Sequence, residues 1–120
     1  MLQHVSLEVP PERVGDCVEF WALLGFRRVD PPSTLADRAT WVERSGTQIH
    51  LMHIEAPVVP PQGHAAVLAE DYEEAIARLR HSGFDPEARR EHWGAPRSFV
   101  RDPVGHRVEV MAAPPPPSPG

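Results

Sequence analysis

The chain repeats itself once, and four side chains mark the repeat. His4 and His50 are 46 residues apart, and His64 and Glu109 are 45 residues apart. When the second half is slid back onto the first, His64 falls on His4 at a shift of 60 and Glu109 on His50 at 59, while the pair Gly25-Phe26 recurs at 58. The pattern predicts two similar units, each with two side chains that can ligate a metal.

The length allows one domain built from these two units. A chain of 120 residues and 13.4 kDa with 41% hydrophobic residues buries one modest core, and each half alone is too small to be stable. Proline-rich stretches set the predicted boundaries. We expect a first unit at 1–56, a linker at 57–63, a second unit at 64–112 and a disordered or polyproline-like tail at 113–120.

The charge and the cysteine content narrow the class of partner. A formal net charge of −5, from 17 acidic against 12 basic residues without a basic run, argues against nucleic-acid binding and favours a small-molecule partner. No stretch resembles a signal peptide or a membrane span. The single Cys17 cannot form an internal disulfide, so we expect a cytoplasmic protein in which this thiol is packed in the core.

Apolar spacing predicts the elements of the first unit. Residues 2–9 alternate like a half-buried strand, with His4 on the polar face. The apolar positions from Val14 to Leu24 follow helical spacing up to a glycine stop. Two strands are predicted at 39–43 and 48–54, around a turn.

The second unit follows the same order. A strand is predicted at 64–69, and a helix capped by Asp71 and Glu74 follows it. Strands at 98–101 and 106–111 flank a tight turn at 102–105, in which proline and glycine occupy their favoured positions. Each unit is thus a strand, a helix and two or three antiparallel strands, which predicts an α+β fold.

The chain resembles the vicinal oxygen chelate superfamily, which includes glyoxalase I, bleomycin-resistance proteins, fosfomycin-resistance thiol transferases and extradiol dioxygenases. The resemblance covers nearly everything from Leu2 to Met111. It implies two tandem βαβββ modules whose mixed sheets curve into a cup around a divalent metal, commonly at a homodimer interface. The most specific motifs are Gln3-His4-Val5, Phe20-Trp21 through Leu24-Gly25-Phe26, Gly63-His64-Ala65, and Asp102-Pro103-Val104-Gly105-His106-Arg107-Val108-Glu109.

The resemblance also implies the ligands: the metal positions fall on His4, His50, His64 and Glu109. Imidazole and carboxylate suit one Ni, Zn, Fe or Mn ion per site, and four ligands leave room in a six-coordinate shell for a chelating substrate. Glyoxalase I usually has glutamate or glutamine where this chain has His50. Because His50 adds no negative charge, the metal should be a stronger Lewis acid; alternatively, His50 leaves the metal and acts as a base.

Other side chains are candidates for a substrate pocket. An apolar wall above the metal would come from Trp41 and Met52, with a core role as the default for each. Alternation in the penultimate strand puts charged and aromatic side chains on a shared face, where a cation would meet a carboxylate, a phosphonate or a thiol cosubstrate; a solvated charged face is the alternative. These residues are Arg97, Phe99 and Arg101. His53 and His106 are out of phase with the predicted ligands, so neither is expected to bind metal.

Three function classes remain open at this stage. The first is a glyoxalase-I-like lyase or isomerase that chelates a hemithioacetal or α-hydroxycarbonyl and moves a proton through an enediolate, with Glu109 or His50 as the catalytic base. The second is an extradiol-type dioxygenase or a fosfomycin-type thiol transferase that uses His4, His64 and Glu109. The third is a drug-binding protein of the bleomycin-resistance type, without catalysis. The four ligand-capable side chains favour the first.

Overall fold

The computed structural model describes residues 1–119, which form two βαβββ modules of the predicted α+β class. The last residue of the predicted tail, Gly120, lies outside the described residues. In the first module the elements are β1 (His4–Val9), a 3-10 turn (Pro11–Arg13), α1 (Val14–Leu23), β2 (Arg27–Val29), β3 (Ala39–Arg44) and β4 (Thr47–His53). In the second they are β5 (Ala65–Leu68), α2 (Tyr72–His81), β6 (Glu87–Ala88), β7 (Arg97–Arg101) and β8 (Arg107–Met111).

The two sheets have the same topology. In the first, the strand order is β1-β4-β3-β2, with β1 parallel to β4 and the other pairs antiparallel. In the second, β5 takes the place of β1 in the order β5-β8-β7-β6, and again the first pair alone is parallel. The internal repeat in the sequence therefore corresponds to a repeat in the fold.

Each helix covers one face of its sheet; α1 ends just before the predicted glycine stop, and α2 begins directly after its predicted cap. Asp71 caps α2 by accepting a hydrogen bond from the Glu74 backbone N–H at 3.1 Å. After α1, Gly25 takes a φ of +89°, which an L side chain rarely adopts. The buried apolar residues of the helices are Cys17, Phe20 and Trp21 in α1 and Ala75, Ile76 and Leu79 in α2.

The modules pack against each other through one shared core. The rings of Phe20 and Phe84 meet edge to face at a centroid distance of 5.0 Å. His106 crosses the junction, because its Nε2 donates to the Glu8 carbonyl at 2.7 Å. Arg44 of the first module donates to the Leu68 carbonyl of the second at 2.7 Å. These polar bridges hold the two sheets in a fixed relation.

Two short strands complete the modules beyond the elements that apolar spacing predicts. β2 has three residues and β6 only two, and both lie at the outer edge of their sheet. Both helices have ten residues, and within residues 1–119 no helix has the length and apolarity needed to cross a membrane.

Candidate metal centre

Two predicted ligands, His4 and His50, lie together on the first sheet. Strand β1 is parallel to β4 and Ser6 is opposite His50, so His4 and His50 share the face that points away from the helix. Their rings stack at a centroid distance of 4.0 Å and an interplanar angle of 13°. Trp41, across the β3–β4 pairing, stacks on the other side of His50 at 4.0 Å and 3°. His50 is therefore held between two flat rings.

A chain of hydrogen bonds sets the protonation of His50. The Gln48 side-chain N–H donates to the Glu43 carboxylate at 2.8 Å, which turns the Gln48 amide oxygen toward His50 Nε2 at 2.7 Å. Nε2 must therefore donate, and neutral His50 keeps its lone pair on Nδ1. Burial, and then the nearby His4, lower the pKa of His50, so the ring is neutral at neutral pH, the form in which imidazole ligates a metal or accepts a proton.

The other two predicted ligands, His64 and Glu109, meet on the second sheet. His64 Nε2 is 3.1 Å from Glu109 Oε1, although the residues are 45 positions apart. The second oxygen, Oε2, accepts from Arg97 Nη1 at 3.3 Å. Glu109 is buried, and a buried carboxylate requires such partners.

The hydrogen bonding of His64 fits a metal ligand. His64 Nδ1 faces the Gln62 backbone carbonyl at 2.9 Å, so Nδ1 donates and the lone pair of the neutral ring lies on Nε2. That nitrogen faces a carboxylate oxygen at 3.1 Å, and two acceptors at this distance repel each other unless a cation joins them. The cation is either a proton, which makes His64 an imidazolium, or a metal ion, whose histidine ligands commonly donate their other ring N–H to a carbonyl. The donor set therefore fits a divalent metal.

Within one chain, the two pairs remain separate half-sites. Among residues 1–119, no three His, Cys, Asp or Glu side chains lie close enough together to hold a metal ion. We call His4 with His50 the first half-site and His64 with Glu109 the second half-site.

The predicted pocket residues lie around the half-sites to different degrees. Trp41 packs directly on His50, and the register puts Met52 on the same face. In β7, Arg97 contacts Glu109, and the Phe99 ring lies edge to face with His64 at 5.0 Å. Arg101 is exposed and donates to the Gly105 carbonyl.

Two arginines that the predicted pocket does not include also approach Phe99. The guanidinium carbon of Arg107 lies 3.8 Å from the Phe99 centroid, and that of Arg89 lies 5.7 Å from it. Alternation in β8 puts Arg107 on the Glu109 face, so the sequence does contain a signal for it. Arg89 follows the two-residue strand β6, which leaves no sequence pattern to find it.

The two histidines expected not to bind metal have structural contacts. His53 lies on the opposite face of β4 from His50, where its Nε2 is 2.9 Å from the Thr40 hydroxyl. His106 is buried at the module junction.

Comparisons with known proteins agree with this architecture. The sequence model of the Glyoxalase/Bleomycin resistance protein/Dioxygenase superfamily matches residues 2–110. A search of curated protein sequences finds no match.

Solved structures share the fold at low sequence identity. A protein assigned to the glyoxalase family from Bacillus anthracis superimposes with a TM-score of 0.84 at 21% identity, over 92% of this chain and 93% of the other. Lactoylglutathione lyase from Agrobacterium tumefaciens gives 0.70 at 19%, over 92% of each chain. The fosfomycin resistance protein FosX from Listeria monocytogenes gives 0.75 at 18%, over 95% of this chain and 93% of the other.

These neighbours have different activities on one fold, so the likeness fixes the architecture and leaves the reaction open. The family match covers nearly the whole repeat, from the strand of His4 to the strand of Glu109. The chain belongs to the Glyoxalase/Bleomycin resistance protein/Dioxygenase superfamily.

Proposed function

We propose that this protein is a metal-dependent lyase or isomerase of the glyoxalase I type, whose site is completed when two copies associate. The observation that carries the proposal is the pairing of ligand-capable side chains at equivalent places on both sheets. His64 and Glu109 are 3.1 Å apart, and His4 stacks on His50 at 4.0 Å. Because the half-sites do not meet within one chain, a second copy would bring the first half-site of one chain to the second half-site of the other.

His4, His50, His64 and Glu109 would hold one divalent ion, Ni, Zn, Fe or Mn. When bound, the ion supplies Lewis-acid polarisation of two neighbouring substrate oxygens. The protein's own groups then move the proton. Glu109 would take it from one carbon and return it to the adjacent one. His50 has a single lone pair, on Nδ1, so it would act as the base only in the alternative in which it leaves the metal.

The setting of Glu109 supports a role in proton transfer. It is buried, and Arg97 holds its Oε2, which leaves Oε1 facing His64 and the shared face of the sheet. A fixed carboxylate orientation lowers the cost of reaching the reactive geometry. A hemithioacetal or an α-hydroxycarbonyl would have the neighbouring oxygens and the acidic carbon-bound proton that this arrangement requires.

Mixing two inactive variants tests the shared site. One variant carries His4→Ala and His50→Ala, and the other carries His64→Ala and Glu109→Ala. If each site joins half-sites from two chains, the mixed dimer regains one intact site, while neither parent has any. We expect metal content and isomerisation of a methylglyoxal–thiol hemithioacetal to reappear only on mixing after reversible dissociation.

Three outcomes of this experiment differ in meaning. Metal retained by either parent contradicts the ligand assignment. Wild-type metal binding without recovery in the mixture means that the site closes within one chain. If metal is recovered but no hemithioacetal is isomerised, the shared metal site is supported and the proposed reaction is contradicted. In that case bound iron would favour oxygen chemistry, and manganese would favour thiol transfer. Sedimentation of the wild type checks the expected mass of two 13.4 kDa chains.

The aromatic stack supports a second candidate, a drug-binding protein without catalysis. The rings of Trp41, His50 and His4 lie nearly parallel, and such flat surfaces bind planar ligands by stacking. The Trp41 indole N–H is buried and has no hydrogen-bond partner among residues 1–119. Under this candidate the wild type takes up no divalent metal on titration, and a planar aromatic drug quenches the fluorescence of Trp41.

A further inference from the structure

One part of the second sheet is lined by charges that the metal chemistry does not use. Phe99 lies in the middle of β7, on the face of Glu109, its cross-strand partner. Three guanidinium carbons surround its ring, with Arg107 at 3.8 Å, Arg97 at 5.4 Å and Arg89 at 5.7 Å from the centroid. We call the surface of Arg89, Phe99 and Arg107 the arginine groove.

The three arginines differ in how their charge is balanced. Arg97 is mostly buried, contacts Glu109 at 3.3 Å and donates from Nε to the Arg90 carbonyl at 2.9 Å, so its charge is already used. Arg89 pairs with Glu87 at 3.2 Å, and both side chains are largely exposed, so this pair is weak. Arg107 donates to the neutral amide oxygen of Gln62 at 3.3 Å. Of these three arginines, Arg107 therefore has the charge that is most available to a ligand.

The groove has room for a small molecule. A cavity of about 450 Å³ is lined by Arg89, Arg101 and Arg107, by Asp85 and Glu87, and by the Phe99 ring. The three arginines that line the cavity outnumber its two carboxylates, so the cavity has a net positive charge in a protein whose overall charge is −5. A local positive cavity in an acidic protein selects anions.

The orientation of Arg107 favours an oxyanion. Its guanidinium lies over the Phe99 ring, an arrangement that fixes the position of the guanidinium. A guanidinium has paired N–H groups that match the two oxygens of a carboxylate or of a phosphoryl group. The cavity also begins beside the second half-site, since His64 touches Phe99 edge to face at 5.0 Å.

We infer that the arginine groove binds a terminal oxyanion, a carboxylate or a phosphoryl group, on the molecule whose other end reaches the second half-site. This inference rests on the proposed function and adds the class of substrate: an anionic small molecule that is anchored at Arg107 and reacts beside Glu109. Arg107 determines specificity through binding, and Arg97 has the separate role of holding Glu109.

Titration of the wild-type protein with succinate and with inorganic phosphate, followed by NMR, tests the inference. We expect either probe to shift the signals of Phe99 and Arg107, and the tighter probe tells which oxyanion the groove prefers. Arg107→Gln should weaken the tighter probe by about tenfold or more, the effect of losing a charge-assisted bidentate contact. Arg107→Lys keeps the charge without the paired N–H groups, so its affinity should lie between those of the wild type and Arg107→Gln.

Arg28→Gln is the matched control, because Arg28 is an exposed arginine on β2 in the other module. It removes the same charge and should leave the affinity for both probes within about twofold of the wild-type value. Equal affinities in wild type, Arg107→Gln and Arg28→Gln would overturn the inference, as would the absence of shifts at Phe99 with both probes at millimolar concentrations.

The metal content of the same proteins separates this inference from the proposed function. If the protein binds metal but neither anion, the inference about the arginine groove is contradicted and the proposed metal site is not. If the wild type binds an anion but takes up no metal, the proposed metal site is contradicted and the inference about the arginine groove is not.

Discussion

The two half-sites occupy equivalent places in a repeated fold but have opposite chemical character. The first half-site is neutral and aromatic: His50 is stacked between His4 and Trp41. The second is ionic: Glu109 lies between His64 and Arg97. The repeat thus puts the proposed ligands at equivalent positions with different chemical character, and a site built from one half-site of each kind would combine a fixed negative charge with a neutral imidazole.

The largest expected effect comes from removing the only negative charge among the four proposed ligands. Glu109→Gln should lower metal affinity by more than about 100-fold, beyond the loss typical of outer-shell changes, because it also leaves Arg97 without its carboxylate partner. His50→Gln is the matched change in the first half-site, and it should cost less because the amide keeps an oxygen ligand. Competition against a chelating dye gives both affinities.

Equal losses in Glu109→Gln and His50→Gln would mean that charge does not distinguish the half-sites. A larger loss in His50→Gln would reverse the comparison.

The half-sites also differ in how they fix the protonation of their histidines. His50 is oriented by the Gln48 side chain, whereas His64 donates to the backbone carbonyl of Gln62. Gln48→Ala should therefore allow the other His50 tautomer and weaken metal binding by about tenfold. Gln62→Ala keeps the carbonyl and should leave the His64 tautomer unchanged.

Nitrogen-15 chemical shifts of the histidine rings report each tautomer directly. A His50 ring that stays protonated on Nε2 in Gln48→Ala would show that stacking between His4 and Trp41 alone fixes the ring.

The hairpin turns provide a third contrast, with a smaller effect. The β3–β4 turn is short and has Gly46 at a φ of +83°. The β7–β8 turn uses the buried Asp102, whose Oδ1 accepts from the backbone N–H groups of Val104, Gly105 and His106 while Oδ2 has no partner among the described residues. Burial is the main cause that raises the pKa of Asp102 above 3.8, against those hydrogen bonds.

This raised pKa predicts how stability depends on pH. Because the folded protein holds the Asp102 proton more tightly than the unfolded chain, the stabilisation by protonation is complete below 3.8 and is lost as the pH rises through the folded-state pKa. Asp102→Asn does not titrate and retains the oxygen that accepts the three bonds. We expect the stability of the variant relative to wild type to increase with pH over that window, measured by urea unfolding. A difference that is flat with pH, or that has the opposite slope, would contradict the raised pKa.

The fold was largely predictable because its signals are local. Apolar spacing marks both helices, Asp71 with Glu74 marks the start of α2, and alternation alone puts His4 on the polar face of its strand. The ladder of β2 with β3 was not predictable, because Arg27 and Arg28 carry no apolar signal and the strand forms through pairing.

The candidate site was predictable only in part, because several of its contacts join residues that are distant in the sequence. The faces of the candidate ligands follow from strand alternation, whereas the family resemblance implies their role as ligands, which stays a prediction. The His64 tautomer depends on a carbonyl beyond the end of β5, and the Glu8–His106 bridge joins residues 98 positions apart. Such contacts depend on the packing of whole modules, to which no local pattern in the sequence corresponds.

The smallest expected effect compares the two helices. Cys17 in α1 and Ala75 in α2 occupy equivalent buried positions, 58 residues apart, as in the Gly-Phe repeat. Since alanine already fills this position in the second module, Cys17→Ala should cost only about 1 kcal/mol of unfolding free energy, the cost of a small cavity. Burial, and then the charge of Asp102, raise the pKa of the Cys17 thiol to about 12, so the native protein should react with a thiol reagent only as fast as it opens. Rapid labelling under native conditions, or a loss of several kcal/mol in Cys17→Ala, would show that the first helix depends on its thiol and that the two modules differ in their core as well as in their half-sites.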